Sequence, residues 1–223
     1  MKKFELTNEF ITNMFGTKLF RIRALVEFGD VEAGELGGYV EKESNLGHDD
    51  NAWVYDNAWV YGNARVYGDA LVYDNARVYD NAWVYGDAQV SGDALVYDNA
   101  RVYGNAWVYG DAQVSGNARV YGNAWVYGNA RVYGNALVCG DARVCGDARV
   151  CGNGDYAYAH GFGSVNRTTT FFRLKDGGVG VRCGCFYGTL AQFRDKIRET
   201  HGETKKAQEY LMLADLMKLR FEK

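Results

Sequence analysis

From Asp50 to Cys151 the chain repeats one six-residue unit seventeen times without insertion. The unit reads Asp or Gly, Asn or Asp, Ala, a variable residue, Val, then Tyr, Ser or Cys; Asp56-Asn57-Ala58-Trp59-Val60-Tyr61 and Gly128-Asn129-Ala130-Arg131-Val132-Tyr133 are two copies. Repetition this strict is the mark of a solenoid, whose units bury their apolar faces only by stacking on one another. The composition agrees: 17 Tyr, 28 Gly and no Pro point to a periodic object rather than an average globular chain.

Alternation within the unit sets the geometry. Ala, the variable residue, Val and Tyr form a short strand, and successive side chains of a strand point to opposite faces. Ala and Val therefore point inward, while the variable residue and the large Tyr point outward. Gly-Asn, Gly-Asp and Asp-Asn tolerate left-handed backbone angles and suit tight corners. A strand and a corner every six residues close into a three-sided coil. Coils stack at the usual inter-strand spacing of about 4.8 Å, giving a column roughly 27 Å tall. Corner Asn and Asp residues fall in ladders that hydrogen-bond along the axis, a structural role rather than a calcium site.

With its six-residue period, one small and one aliphatic inward residue, the chain resembles the hexapeptide-repeat left-handed β-helix family, best known from acyltransferases. The handedness comes from that resemblance. Leu36-Gly37-Gly38-Tyr39-Val40-Glu41-Lys42 before the repeats, and Arg167-Thr168-Thr169-Thr170-Phe171 with Cys183-Gly184-Cys185-Phe186 after them, are similar to segments of hexapeptide-repeat proteins from phages, prophages and their bacterial hosts. The likeness covers nearly the whole chain and carries no settled activity. For a phage-type protein it implies the host cytoplasm, with a host protein as one class of partner.

Bare solenoid ends expose unpaired strand edges, so both need caps. Residues 1–49 read as the N-terminal cap, with Val40 and Leu46 continuing the inward column that starts at Ala52. Residues 50–151 are the β-helix, and 152–223 a small α+β domain. In that domain Thr168–Leu174 and Val179–Phe186 read as a hairpin about Lys175-Asp176-Gly177-Gly178. Thr189 with Gln192 forms a capping box opening a helix that buries Leu190, Phe193 and Ile197 and stops at Gly202. A second helix carries Ala207, Tyr210, Leu211, Ala214, Met217 and Phe221 on one face. Cys139, Cys145 and Cys151 replace the last three outward Tyr residues, making room for this domain to dock.

A net charge of -3 with no long basic run argues against general duplex binding. The N-terminal residues lack the apolar core of a secretion signal, and no apolar stretch is long enough to span a bilayer, so the expectation is a cytoplasmic protein without a membrane role. No disulfide framework is expected. Cys183 and Cys185 share one strand face and read as small core residues rather than zinc ligands. No cofactor or metal is expected.

The repeats contain no His; His48 precedes them, and His160 and His201 follow. Hexapeptide acyltransferases use a His as general base, so that activity would rest on His160 or His201. No P-loop, nucleophile elbow or dinucleotide fingerprint is present. A binding and assembly scaffold is the favoured reading, with two candidate surfaces. Repeats three apart share a side, and one side collects Trp53, Leu71, Trp107 and Trp125, flanked by Tyr55, Tyr73, Tyr109 and Tyr127. An aromatic patch of that kind predicts a homo-oligomer, a trimer by resemblance. The second surface lies in the C-terminal domain, where Arg182 and Phe186 are set against Thr169, Phe171 and Arg173, with Arg167 nearby. Arginines, hydroxyls and rings suit a small anionic, nucleotide-like ligand.

Overall fold

The computed structural model describes residues 2–163 and 165–222. It opens with β1 (Phe4–Thr12), β2 (Lys18–Ala24) and β3 (Leu36–Val40). Seventeen short strands follow at six-residue intervals, from β4 (Trp53–Val54) to β20 (Arg149–Val150). Each of the first fourteen pairs in parallel with the strand one coil on: Trp53 lies beside Leu71, Trp59 beside Arg77 and Arg65 beside Trp83. The pairings build three sheets, one per side, which makes the protein a parallel β-solenoid of about six coils.

Every Ala from Ala52 to Ala148 and every Val from Val54 to Val150 in the repeats is fully buried. At about 1.5–3 kcal/mol per buried Val, this column is the main stabilising term. The corners work as the sequence predicts. Their first residue has φ between 60° and 72° where it is Gly62 through Gly146, and between 52° and 60° at Asp50, Asp56, Asp74, Asp80 and Asp98. A side chain at Gly68 would stand 2.9 Å from the amide of Gly86 on the next coil, so glycine is needed for close stacking there. At Asp56, Asp74, Asp80 and Asp98 the carboxylate accepts from the next coil, as Asp74 Oδ2 does from the Gly92 amide at 2.9 Å. Asn63, Asn81, Asn99, Asn117 and Asn135 form a continuous amide ladder with links of 3.2–3.4 Å. Outside, Tyr67, Tyr85, Tyr103 and Tyr121 stack with centroids 4.9–5.0 Å apart.

At the N-terminal end β1, β2 and β3 pair antiparallel, and β3 joins one solenoid side through Val40 beside Val60. Leu46 lies beside Val66. Both residues therefore belong to the Val column, not the Ala column expected from Ala52. The segment between Leu46 and Val54 is two residues longer than one repeat, which shifts the phase. Trp53 corrects a second expectation. It is fully buried beneath Phe4 and Phe28, with centroids 6.2 and 5.3 Å away, so it plugs the end of the column and leaves the surface. Buried Lys3 donates to the carbonyls of Ala52 at 2.8 Å and Asp50 at 3.2 Å, and burial pulls its ammonium down to about 8.

Beyond β20 the chain forms β21 (Tyr156–Phe162), β22 (Arg167–Arg173), β23 (Val179–Cys183) and β24 (Phe186–Thr189), a four-stranded antiparallel sheet rather than one hairpin. The expected strand 179–186 breaks after Cys183, because Gly184 turns the chain with φ 56°. One face of the sheet closes the solenoid. Phe172 and Tyr156 join its core, the Arg143 amide donates to Thr170 Oγ1 at 2.9 Å, and Ala148 bridges Leu174. The other face packs Phe171 and Val181 against α1 (Leu190–His201) and α2 (Lys205–Phe221), which bury Phe193, Ile197, Tyr210, Ala214 and Met217. The capping box is formed, with the Thr189 amide 2.8 Å from Gln192 Oε1 and the Gln192 amide 3.3 Å from Thr189 Oγ1. Cys139 and Cys145 lie at this seam, the first 3.7 Å from the Tyr156 hydroxyl and the second buried beside Tyr127. Burial pushes the Cys145 thiol up, which suits inert packing. Cys151 is exposed where the chain leaves the last coil, so only two of the three cysteines serve the docking. No helix among the described residues is long and apolar enough to cross a membrane.

Candidate functional site

The seam between the last coils and the C-terminal sheet holds a cleft of about 600 Å³. From the solenoid come Trp125 and Arg143 on one side and Asn123 and Asp141 on the adjoining corner; from the cap come His160, Arg167, Thr168 and Gly184. Stacking order places the solenoid residues. Trp107, Trp125 and Arg143 follow one another in one column, Trp125 lying 5.2 Å from Trp107 and 4.5 Å beneath the Arg143 guanidinium. Both ring faces of Trp125 are thus covered, and the ring holds the Arg143 guanidinium at the cleft through a cation–π contact.

The cap residues are placed by a strand irregularity. Between Ala159 and Phe162 the pairing of β21 with β22 shifts register, and Gly161 takes φ 86°. This bulge turns His160 toward the solenoid. Its Nδ1 lies 2.9 Å from Thr168 Oγ1 and 3.9 Å from Asp141 Oδ2. Asn123 donates to the other Asp141 oxygen at 3.0 Å. Arg167 crosses directly over Gly184, where an added Cβ would stand 2.0 Å from its Nη1. The missing side chain at Gly184 thus makes room for Arg167.

Among the described residues neither the Arg143 nor the Arg167 guanidinium has a hydrogen-bonded or ionic side-chain partner. Asp141 lines the same cleft, where it accepts from Asn123 and lies 3.9 Å from His160, so the two arginines outnumber the one carboxylate of the lining. Such a pair recognises phosphate or carboxylate through charge-assisted hydrogen bonds.

The ligand set expected from sequence is divided by the sheet. Thr169, Phe171 and Arg173 pair with Cys183, Val181 and Val179, whereas Arg182 lies opposite Thr170. Thr169 and Phe171 are fully buried on the helix side, where Phe186 also lies, its ring 5.4 Å from that of Phe193. Arg173 is committed to structure, donating to the carbonyls of Phe221 and Gly177 at 3.0 Å each. Arg182 faces the solenoid, over the Tyr127 ring at 6.0 Å, and donates to the Cys185 carbonyl at 3.3 Å. Among the described residues it has no carboxylate partner. Of the six residues only Arg167 reaches the cleft.

A smaller cavity of about 270 Å³ lies on the helix side of Arg167, lined by Cys183, Cys185, Phe186, Lys196, His201 and Tyr210. His201 stacks on Tyr210 there at 5.9 Å, and Thr169 Oγ1 donates to Cys183 Sγ at 3.2 Å. No cluster of three His, Cys, Asp or Glu able to hold a metal occurs among the described residues. The aromatic column is also reduced as an outward surface. With Trp53 plugged and Trp125 under Arg143, Trp107 is its most open large ring, at 37% exposure.

Fold and cleft together define a capped β-solenoid with a polar seam. Five stretches of the repeats, residues 58–72, 70–86, 96–110, 112–128 and 124–140, match the family described as YdcK Beta solenoid repeat. The matches span about a third of the chain and make its central column similar to that repeat. No curated protein matches the chain.

Proposed function

We propose that this protein is a binding scaffold that holds a small phosphate-bearing ligand in the cleft between its solenoid and its cap. One observation carries the reading: Arg143 and Arg167, from different parts of the fold, converge on one cleft without side-chain acceptors of their own. Nearby, the His160 imidazole and the Thr168 and Asn123 side chains supply further polar groups for a phosphate and the sugar beside it. The solenoid contributes rigidity, since each coil is locked to the next by a full set of backbone bonds.

Isothermal titration with ribose 5-phosphate, inorganic pyrophosphate and adenosine 5′-monophosphate tests the proposal. Saturable, salt-sensitive binding of the phosphates is expected, with ribose alone giving none. Absence of binding across the phosphate panel overturns it.

A second reading has one observation behind it. His160 is held through Nδ1 by Thr168, with Asp141 3.9 Å away, which leaves Nε2 without a hydrogen-bond partner among the described residues and able to serve as a general base for acyl transfer. Turnover of acetyl-coenzyme A with amine or hydroxyl acceptors, abolished by His160→Ala, would replace the binding account; no turnover removes this reading.

A further inference from the structure

The unit Gly-Asp-Ala-Gln-Val-Ser occurs twice, at 86–91 and 110–115, and each copy puts a serine where the outward column otherwise carries tyrosine. The two gaps are built differently. At Ser91 the space is closed. Ser91 is only 8% exposed, and the Tyr73 hydroxyl reaches across to donate to Gln89 Oε1 at 3.2 Å.

At Ser115 the space is open. Backbone bonds run without a break from Tyr97 to Ser115 to Tyr133, since the Tyr97 amide donates to the Val114 carbonyl at 3.0 Å and the Ser115 amide to the Val132 carbonyl at 2.9 Å. Tyr97 stacks on Tyr79 at 5.1 Å with one face, and its other face looks into the gap. Tyr133 has Ser115 before it and Cys151 after it, and among the described residues no aromatic ring contacts it. Two rungs of the column separate the rings, about 10 Å at the usual strand spacing. A planar ring placed midway would meet both tyrosines at the interval the column already uses. The notch has a volume of about 320 Å³, and Arg131 and Arg149 line it together with Gln113. Arg149 is held in place by the carbonyls of Asn129 at 3.0 Å and Ala148 at 2.8 Å. Arg131 is exposed, and its guanidinium has no hydrogen-bond or ionic partner among the described residues.

We propose that the Ser115 notch is a second binding site, taking a planar aromatic ring that bears a negative group. The ring fills the missing rung between Tyr97 and Tyr133. Its anionic group meets Arg131 and Arg149, and Gln113 and Ser115 supply hydrogen bonds at the ring edge. This site is on a different side of the solenoid from the seam cleft and does not depend on it.

The ring proton resonances of Tyr97 and Tyr133 report the notch and not the cleft. Adenosine 5′-monophosphate added to the full chain should shift both in a saturable way, while ribose 5-phosphate, which lacks the ring, should leave them unmoved. Ser115→Tyr completes the ladder with the residue used at the equivalent rungs, and should weaken the effect about tenfold or more. Arg131→Glu provides a second variant acting through charge alone, with the same direction expected. Ser91→Tyr, at the closed gap, should change nothing. The proposal is overturned if the nucleotide moves only Trp125 at the seam, if ribose 5-phosphate reproduces the shifts, or if they survive Ser115→Tyr undiminished.

Discussion

The solenoid and its C-terminal cap translate sequence into position by different rules. In the solenoid a residue meets the one eighteen positions on, so the neighbours of Trp125 follow from counting: Trp107 before it and Arg143 after it. In the cap, position depends on breaks in regularity. His160 is aimed by a bulge, and Arg167 finds room because Gly184 turns with positive φ. A repeat gives long identical columns and little variety. The candidate cleft arises where the repeat ends and an irregular sheet docks against it.

Two buried valines give the sharpest test of that difference. Val108 sits in the solenoid interior and Val181 in the separate core between sheet and helices, both fully buried. Either changed to Asp places an unpaired carboxylate in a dry site, at about 4 kcal/mol or more. Val108→Asp should abolish the solenoid's sheet signal in circular dichroism. Val181→Asp should melt the cap first and leave that signal in place. Equal collapse of both variants would mean that the two regions fold as one unit. Phe172 belongs to the cap by sequence and to the solenoid core by packing. Phe172→Ala should cost about 3–5 kcal/mol and split denaturant unfolding into two steps.

Alkali probes the tyrosine columns. Burial holds the phenols of Tyr61, Tyr79, Tyr85 and Tyr109 above their ordinary value, so in the folded chain they keep protons that the unfolded chain gives up. Their contribution is intact below about pH 10 and is lost as pH rises beyond it. The melting temperature should fall steeply above that point. Lys3 acts in the opposite sense: with its ammonium near 8 when folded and 10.5 when free, stability rises across that interval. Lys3→Met should remove that rise and leave the alkaline fall. The smallest effect is expected at the exposed amide ladder, where Asn99→Ala removes links of 3.4 and 3.3 Å for about 1 kcal/mol in denaturant unfolding.

The solenoid was legible because its signal repeats. The inward Ala and Val, the left-handed corner residue and the column neighbours all follow from a six-residue period. Its errors came where the period slipped, at the longer segment between Leu46 and Val54 and at Trp53, whose outward position is covered by Phe4 and Phe28. The cap was half legible. Thr189 and Gln192 fix the start of a helix locally, but β21 is hidden, because the residues between the rings of Tyr156–Phe162 are only Ala and Gly, which are poor strand formers. Reading 179–186 as one strand grouped Arg182 with Phe186, although the turn at Gly184 sends Phe186 to the helix side. Of the cleft, Trp125, His160 and Arg167 drew attention singly. Asn123, Asp141 and Thr168 did not, since only docking of the sheet on the last coils gives them a common purpose.

The central claim is that solenoid and cap each supply one arginine to the same bound anion. Titration of ribose 5-phosphate into the parent protein, Arg143→Ala, Arg167→Ala and the double variant tests it directly. Each single change should weaken binding about tenfold, near 1.4 kcal/mol, at unchanged melting temperature, and the double variant should depart from simple additivity because both groups hold one ligand. Binding that ignores either substitution, or effects that add as if the arginines were strangers, would contradict it.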